Sequence, residues 1–471
     1  MPSENILHTD GVTIFRGGCS IKLSMTYSVK IKRLNHVFVD TVRLYRQAVS
    51  FFMDVCLQEW DTVSSGKLQK ERVNLVESLT VASKKNPSIS YDFGADFYKF
   101  PSYLRRAAIA EALGKVSSYR SNLARWEAAD PASRGKEPGL PQAGTVYPAM
   151  YRGNMFLRTG TYQAALKVFI RNTWDWILVD LRKSDVDYIL RHCGNYKECV
   201  PTLQKRGKEW FLDFVFQTTV KLSENPVERI LAVDLGLNSA CTCSIMDAEG
   251  TVLGREFLSL PREYDSLSYA ISHIRHAQKL CARRTPRLWA QAKGINDDIA
   301  VKTAQFIVDM AVRYDVDCIV MEHLDLTGKK RGSKKMHLHL WRTKYVQSMV
   351  IEKAHRSLIR VARVCAWNTS RLAFDGSGRV SRGKEADLPS CSLCRFASGK
   401  QYNCDLNASY NIGARYFIRE RLKTLPATVG QAVTAKVPEL AYRSTNTLST
   451  LIRLIAELQG LIPAADGVTA G

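Results

Sequence analysis

The stretch Glu228-Arg-Ile-Leu-Ala-Val-Asp-Leu-Gly236 decides the fold of this chain. Its apolar run ends in a carboxylate and a glycine, which predicts a buried strand that presents Asp234 at its end. Residues 239–246 and 251–258 predict two more strands, because the turn sequence Asp247-Ala-Glu-Gly250 lies between them. The segment therefore predicts a β-meander with an acid on its first strand.

Downstream, the sequence predicts a helix at 297–313 and then a fourth buried strand at 316–322, which ends in Glu322. Three strands, a helix and a further strand with a second acid match the connectivity of an RNase H-like fold. A third acid, Asp405, stands at the predicted start of a helix within Asn403-Cys-Asp-Leu-Asn-Ala-Ser-Tyr-Asn-Ile-Gly-Ala-Arg415.

Carboxylates that converge from three separate elements suit phosphodiester hydrolysis. The reaction needs a nucleophilic water and neutralisation of the leaving oxygen, and two Mg²⁺ ions roughly 3.5–4 Å apart supply both. Hard cations prefer carboxylate oxygens. An Asp-x-Gly alone is weak evidence, because aspartates commonly end strands at turns. The ordered set predicts that Asp234, Glu322 and Asp405 are catalytic and bind the metal.

The composition points to a polyanionic partner. The 471 residues carry 67 Lys and Arg against 45 Asp and Glu, a formal charge of +22, which favours nucleic acid or an anionic membrane surface. No apolar run approaches the roughly 18 residues that span a bilayer. The N-terminal residues also lack the basic and apolar regions of a signal peptide. We therefore expect a cytoplasmic protein with no membrane partner.

The first 227 residues predict a basic β-domain that a helical segment interrupts. A helical region at 101–129 interleaves basic and aromatic side chains, which would contact a nucleic-acid duplex through its backbone and by stacking. A surface helix with core aromatics remains the alternative. The candidate residues are Tyr103, Arg105, Arg106, Tyr119 and Arg120.

A basic loop, Gly328-Lys-Lys-Arg-Gly-Ser-Lys-Lys335, closely follows Glu322. A charge run is usually a solvated face, but beside a nuclease site in a basic chain we expect it to contact phosphates. The predicted nucleic-acid-binding residues are Lys329, Lys330, Arg331, Lys334 and Lys335.

The cysteines do not form a disulfide scaffold, because 12 of them are scattered through a long chain. One pair, Cys391 and Cys394, has the spacing of metal ligands and is followed only by Cys404. Three thiolates are one short of a structural zinc site. Bound zinc and a reduced, metal-free lobe both stay open.

Three motifs resemble a known family: Val233-Asp-Leu-Gly-Leu-Asn238, Val320-Met-Glu-His-Leu324 and Cys404-Asp-Leu-Asn-Ala-Ser-Tyr-Asn-Ile412. They are similar to the split RuvC motifs of TnpB, the RNA-guided nuclease of transposons, and of the miniature type V CRISPR effectors. By matching position, the resemblance makes Asp234, Glu322 and Asp405 the catalytic triad. It also implies a wedge β-barrel with a helical recognition insertion, which binds guide RNA and a target-adjacent motif.

The predicted fold class is multidomain α+β: a wedge β-barrel with a helical insertion, then an RNase H-like (RuvC) nuclease domain with a small cysteine-containing lobe. The predicted segments are a wedge β-domain at 1–35 and 143–227, a helical recognition insertion at 36–142, RuvC-like segments at 228–365 and 405–471, and a small nucleic-acid-loading lobe at 366–404.

The resemblance implies an RNA-guided DNA endonuclease of the bacterial cytoplasm, associated with the nucleoid when bound to DNA. Its cofactors would be two Mg²⁺ ions, with Mn²⁺ as a substitute, and a guide RNA, single or split. Its target would be double-stranded DNA, and a homodimer stays open. Two alternatives remain: a guided DNA-binding repressor without cleavage, and an unguided RuvC or RNase H-like nuclease. A guided repressor should lack one or more acids of the triad. An unguided nuclease would have no role for the N-terminal residues.

Overall fold

The computed structural model describes residues 8–9, 12–13, 20–32, 36–84, 87–132, 134–236, 239–280, 284–324, 341–390 and 392–461. The chain forms two compact units, one of residues 24–218 and one of residues 1–23 with 219–471. Across those ranges, no helix is both long and apolar enough to cross a membrane.

The N-terminal unit is built on a largely antiparallel sheet. The sheet order is β4-β5-β6-β3-β9-β7, and β8 pairs with β9. A separate two-stranded pair, β1 and β2, comes earlier in the chain, among the residues that belong to the other unit. The bounds are β1 His8–Thr9, β2 Val12–Thr13, β3 Ser20–Lys32, β4 Phe156–Gly160, β5 Gln163–Ile170, β6 Thr173–Leu181, β7 Lys197–Glu198, β8 Thr202–Arg206 and β9 Glu209–Lys221.

A helical insertion lies between β3 and β4, as the sequence predicts. In the first helix, Val42, Val49 and Phe52 belong to a buried stripe that packs into the core of the unit. A later helix within the β-rich part was not predicted, although Val186, Ile189 and Cys193 are buried at helical spacing. The helices are α1 Val39–Gln58, α2 Trp60–Ser64, α3 Gln69–Thr80, α4 Phe93–Asp96, α5 Ser102–Glu127 and α6 Lys183–Cys193.

The C-terminal unit contains the predicted RNase H-like sheet. Its order is β12-β11-β10-β13-β14, antiparallel from β12 to β10 and parallel from β10 to β14. The mixed α+β fold class is therefore confirmed. The strands are β10 Arg229–Asp234, β11 Cys241–Asp247, β12 Val252–Leu258, β13 Cys318–His323 and β14 Arg360–Cys365.

Helices cover both faces of this sheet, because β10 is apolar on both sides. Leu231 and Val233 pack in one cluster with helices α8 (Pro286–Arg313) and α9 (Thr343–Arg356). Ile230 and Ala232 pack in the other with α10 (Cys404–Thr424) and α12 (Leu448–Leu461). The predicted helix at 297–313 begins earlier, at Pro286, because proline suits the first turn of a helix. The helices are α7 Pro261–Lys279, α8 Pro286–Arg313, α9 Thr343–Arg356, α10 Cys404–Thr424, α11 Ala427–Lys436 and α12 Leu448–Leu461.

A small three-stranded antiparallel sheet immediately precedes α10. It consists of β15 Ser381–Arg382, β16 Leu393–Arg395 and β17 Gln401–Asn403. Its core includes Ala373, Val380, Cys394, Phe396 and Cys404. Since β17 leads directly into α10, this lobe is joined to the helix that carries the third acid. The boundaries predicted from the sequence for this lobe and the other segments stay predictions.

Close packing of α10 on the sheet gives a first prediction. A Cβ added at Gly413 would lie 3.0 Å from Met246 Sδ and 3.3 Å from Ala232 Cβ. We expect Gly413→Val to lower the free energy of unfolding by about 1–3 kcal/mol, because the added atoms would separate helix and sheet. Gly430→Val in α11 is the matched control, because a Cβ there meets nothing within 4 Å. Equal urea midpoints for the two variants would contradict the prediction.

Candidate active site

Strand register brings the first two acids together. In the parallel pair β10 and β13, Val233 lies opposite Met321, so Asp234 and Glu322 follow at the same end of neighbouring strands. Side chains alternate along a strand, and Ala232 and Val320 both face the cluster that contains α10. Asp234 and Glu322 therefore point to the face that α10 covers.

The start of α10 supplies the third acid. The side-chain oxygen of Asn403 accepts hydrogen bonds from the backbone N–H groups of Asp405 at 2.9 Å and Leu406 at 3.0 Å. This N-cap begins the helix at Cys404 and puts Asp405 in its first turn, where the helix dipole favours a negative charge.

The three carboxylates interact electrostatically. Burial raises the pKa of Asp234 well above its usual range, and the negative charges of Glu322 and Asp405 raise it further. Burial also raises the pKa values of Glu322 and Asp405. Asp234 and Asp405 nevertheless keep part of their surface accessible. The structure thus brings all three predicted acids into one electrostatic cluster, which a positive charge would stabilise.

Nearby residues orient and partly neutralise this cluster. The hydroxyl of Thr369 donates to the Glu322 carboxylate, and the amide of Gln347 donates to the Glu322 backbone carbonyl at 2.8 Å. The positive charge of Arg382 opposes the pKa rise of both Asp234 and Asp405. Arg382 also donates to the backbone carbonyl of Ser370.

One face of α10 holds the segment that follows β14. The side-chain oxygen of Asn407 accepts from the Phe374 N–H, and its amide donates to the Leu372 carbonyl, both at 2.8 Å. Asn411, one turn later, donates to the Thr369 and Leu372 carbonyls at 2.9 Å each. These amides fix the chain that presents the Thr369 hydroxyl to Glu322.

Arg415 continues the same face of α10 and is buried. Its guanidinium donates to four backbone carbonyls, those of Cys365, Trp367, Ser444 and Asn446. Burial lowers its pKa to about 10, so the group remains charged at neutral pH. Its charge also opposes the raised pKa of Glu322.

The sequence predictions did not include Asn407, Asn411, Arg415 and Thr369. A signal was present, because the first three recur every four residues and therefore share one helix face. Polar residues at such spacing on an otherwise buried helix indicate a structural clamp. Nothing in the sequence around Thr369 singles it out.

The donor set is suited to hard cations, since it consists of carboxylate oxygens with raised pKa values. In the part of the chain that the structure describes, however, no three His, Cys, Asp or Glu side chains lie close enough to hold one ion. Binding would therefore require these carboxylates to lie closer together than they do in this structure.

The cysteine lobe brings two of its three predicted ligands together. A hydrogen bond between the thiols of Cys404 and Cys394 lowers the pKa of Cys394 and raises that of Cys404. Both side chains are buried. Cys391 lies outside the described residues, so the choice between zinc and a metal-free lobe stays open.

The predicted basic residues of α5 are partly engaged within the fold. Arg105 pairs with Glu77 at 3.2 Å, and Arg106 donates to Asn74 at 2.9 Å. Arg120 is exposed and donates to the Leu57 carbonyl at 3.2 Å.

The aromatic residues of α5 differ in exposure. The Tyr103 ring lies 5.7 Å from that of Tyr151 and is 46% exposed, and Tyr119 is half-buried. Nucleic-acid contact by α5 stays a prediction. So does contact by the basic loop, whose members lie outside the described residues: Lys329, Lys330, Arg331, Lys334 and Lys335.

Comparison with known proteins adds sequence relatives. The Aq_aa04 family matches residues 25–170. A TnpB-like protein of Aquifex aeolicus strain VF5 is 28% identical over 233 residues, which cover 44% of this chain and 74% of that protein.

Two solved structures share little sequence with this chain. A Cas12f1–sgRNA–target DNA complex matches 83% of this chain and 98% of its own at 13% identity, with a TM-score of 0.32. Alicyclobacillus acidoterrestris C2c1 with single-guide RNA matches 81% and 68% at 12% identity, with a TM-score of 0.40. The similarity of this chain to known proteins therefore rests on the Aq_aa04 family match, on the Aquifex relative and on the three sequence motifs.

Proposed function

We propose that this chain, whose likeness to TnpB the Aquifex relative confirms, is an RNA-guided DNA endonuclease. It would recognise a short target-adjacent motif and cut DNA in a RuvC-like site. The observation that carries the proposal is the electrostatic convergence of Asp234, Glu322 and Asp405 at one end of an RNase H-like sheet. Acids whose pKa values are raised by burial and by neighbouring carboxylates lower the stability of the fold when they ionise, and such acids are found preferentially at functional sites.

Each residue of the site would have a distinct role. Asp234, Glu322 and Asp405 would hold two Mg²⁺ ions, or Mn²⁺ in their place, which would activate water and neutralise the leaving oxygen. Thr369 holds the Glu322 carboxylate in one orientation. Arg382, whose charge reaches both Asp234 and Asp405, would attract the phosphate of an approaching strand.

The net charge of the chain and its family resemblance indicate its nucleic-acid partners. A formal charge of +22 suits a protein that holds RNA and DNA together. The family resemblance implies a guide RNA, single or split, and double-stranded target DNA in the bacterial cytoplasm. In such effectors base pairing identifies the target, and the protein recognises only the short adjacent motif. The N-terminal unit is the proposed reader of that motif and of the guide RNA.

The experiment uses the protein with the RNA that purifies with it. That RNA would be sequenced, its targeting segment replaced, and the complex incubated with matching and non-matching DNA in Mg²⁺. We expect the cut position to move with the replaced segment. RNA-directed binding without cutting would indicate a guided repressor, and cutting without RNA would indicate an unguided nuclease. Either outcome would overturn the proposal.

A further inference from the structure

A cleft of about 570 Å³ lies within the N-terminal unit, between α1 and the chain that approaches β8 and β9. We infer that it binds a single unpaired nucleotide with a 5′-phosphate. The inference goes beyond the proposed function, since the carboxylate cluster contributes no residue to it. The lining includes Val39, Arg46, Gly144, Tyr147, Lys205 and Trp210.

The floor of the cleft is apolar and closely packed. Trp210 is 1% exposed and packs edge-on against Phe38, with ring centroids 5.2 Å apart. Val42 and Ala143 are also buried and complete this surface. Val39, which is 45% exposed, and the half-buried Tyr147 give the cleft its accessible apolar surface. A flat, weakly polar group such as a nucleobase would exclude water from that surface.

The sides of the cleft are cationic. Arg46 lies over the Tyr147 ring at 4.9 Å, and its Nε donates to the Val146 carbonyl at 3.0 Å. These contacts fix the guanidinium before a ligand arrives. Lys205 is exposed, with its ammonium 5.6 Å from the Trp210 ring.

The third cation, Arg43, pairs with Asp40 at 3.1 Å, and both side chains are more than half exposed. The lining residues include no acid, so the charges of Arg46 and Lys205 are not balanced by the lining of the cleft. Two cations beside an apolar floor suit a ligand in which an anionic group is attached to a flat ring.

The size and chemistry select a nucleotide among small anions. Ligand clefts of roughly 300–1,000 Å³ hold small organic molecules, so inorganic phosphate alone would leave most of this cleft of about 570 Å³ filled with water. A base within a duplex is stacked and paired, and it could not enter without leaving its partner. The ligand is therefore a free nucleoside monophosphate or an unpaired nucleotide of a strand.

The test is titration calorimetry of the full chain with nucleoside 5′-monophosphates, nucleosides, and a 5′-phosphorylated single-stranded RNA. We expect monophosphates or the strand to bind and nucleosides to bind at least ~10-fold more weakly, since a charge-assisted hydrogen bond is lost. Binding of the strand alone would identify the source as a nucleic acid. Binding of a monophosphate at least as tightly as the strand would identify a free nucleotide.

Matched variants locate the binding. Lys205→Gln should weaken it ~10-fold. Gly144→Glu should weaken it more than Gly144→Gln, which has the same size without the charge. Gly139→Glu adds the same charge outside the cleft, and a Cβ at either glycine meets nothing within 4 Å, so it should change binding less than ~2-fold. Equal loss in Gly139→Glu and Gly144→Glu, unchanged binding in Lys205→Gln, or binding by neither probe would overturn the inference.

Discussion

Replacement of Asp234 by Asn is expected to reduce DNA cutting by roughly 10³-fold or more, because the central acid of the cluster would lose its charge. If the proposed function is correct, guided binding to DNA should remain, since the acids would contribute to chemistry rather than to affinity. Cutting and binding are measured on the same guide-loaded preparation, by gel assay and by filter binding. Asp265→Asn, an exposed acid of α7, is the control and should cut normally.

The same variant should be more stable than the parent protein. Burial and the charges of Glu322 and Asp405 raise the folded-state pKa of Asp234 above the 3.8 of an ordinary aspartate. An acid with a raised pKa destabilises the fold once the pH exceeds its unfolded value. In EDTA at pH 7 we therefore expect Tm to rise by about 2–4 °C.

The dependence of folding stability on pH tests the direction of this pKa shift. Parent stability should fall as the pH rises from 3.8 toward the folded pKa, while the Asn variant lacks this loss. The gap in Tm should therefore close when the pH drops below about 4. Full cutting by Asp234→Asn, or a lower Tm at pH 7, would contradict the arrangement of acids described above.

The second large effect is expected at Arg415. Arg415→Lys keeps the positive charge but cannot reach four backbone carbonyls at once, which a planar guanidinium can. We expect the free energy of unfolding to fall by about 3–5 kcal/mol, because buried acceptors lose their donors. The urea midpoint of the C-terminal unit's transition measures the loss.

A control with the same substitution is available at Arg443. This residue is exposed, so Arg443→Lys should change stability by less than about 0.5 kcal/mol. If Arg415→Lys unfolds at the parent midpoint, the four hydrogen bonds do not stabilise the fold. Cutting should also fall in Arg415→Lys at temperatures where it stays folded, because the segment with Thr369 would lose its anchor.

The sheet and its acids could be predicted because each signal is local. Residues 229–234 form a continuous apolar run, and the turn at 247–250 has the composition that reverses a chain. Asp234 is the last residue of β10 and Glu322 the last but one of β13, so parallel pairing of the two strands places these acids side by side. The third follows from the Asn403 cap, which marks the start of α10.

The supporting contacts could not be predicted because their partners are distant in sequence and often backbone atoms. Thr369 is 47 residues from Glu322, and the carbonyls that Arg415 binds lie on both sides of α10 along the chain. Backbone carbonyls leave no mark in a sequence. The cleft shows the same limit, since residues 39–50 and 143–147 meet Lys205 and Trp210 only after folding.

The position of α10 late in the chain has a consequence during translation. Asp405 lies 171 residues after Asp234, so a ribosome adding about 5–20 residues per second needs roughly 10–30 s between them. Throughout that interval the chain contains β10 and its acid but lacks the helix α10 that supplies Asp405 and holds the Thr369 segment. The cluster of three acids therefore assembles only after most of the chain has been made.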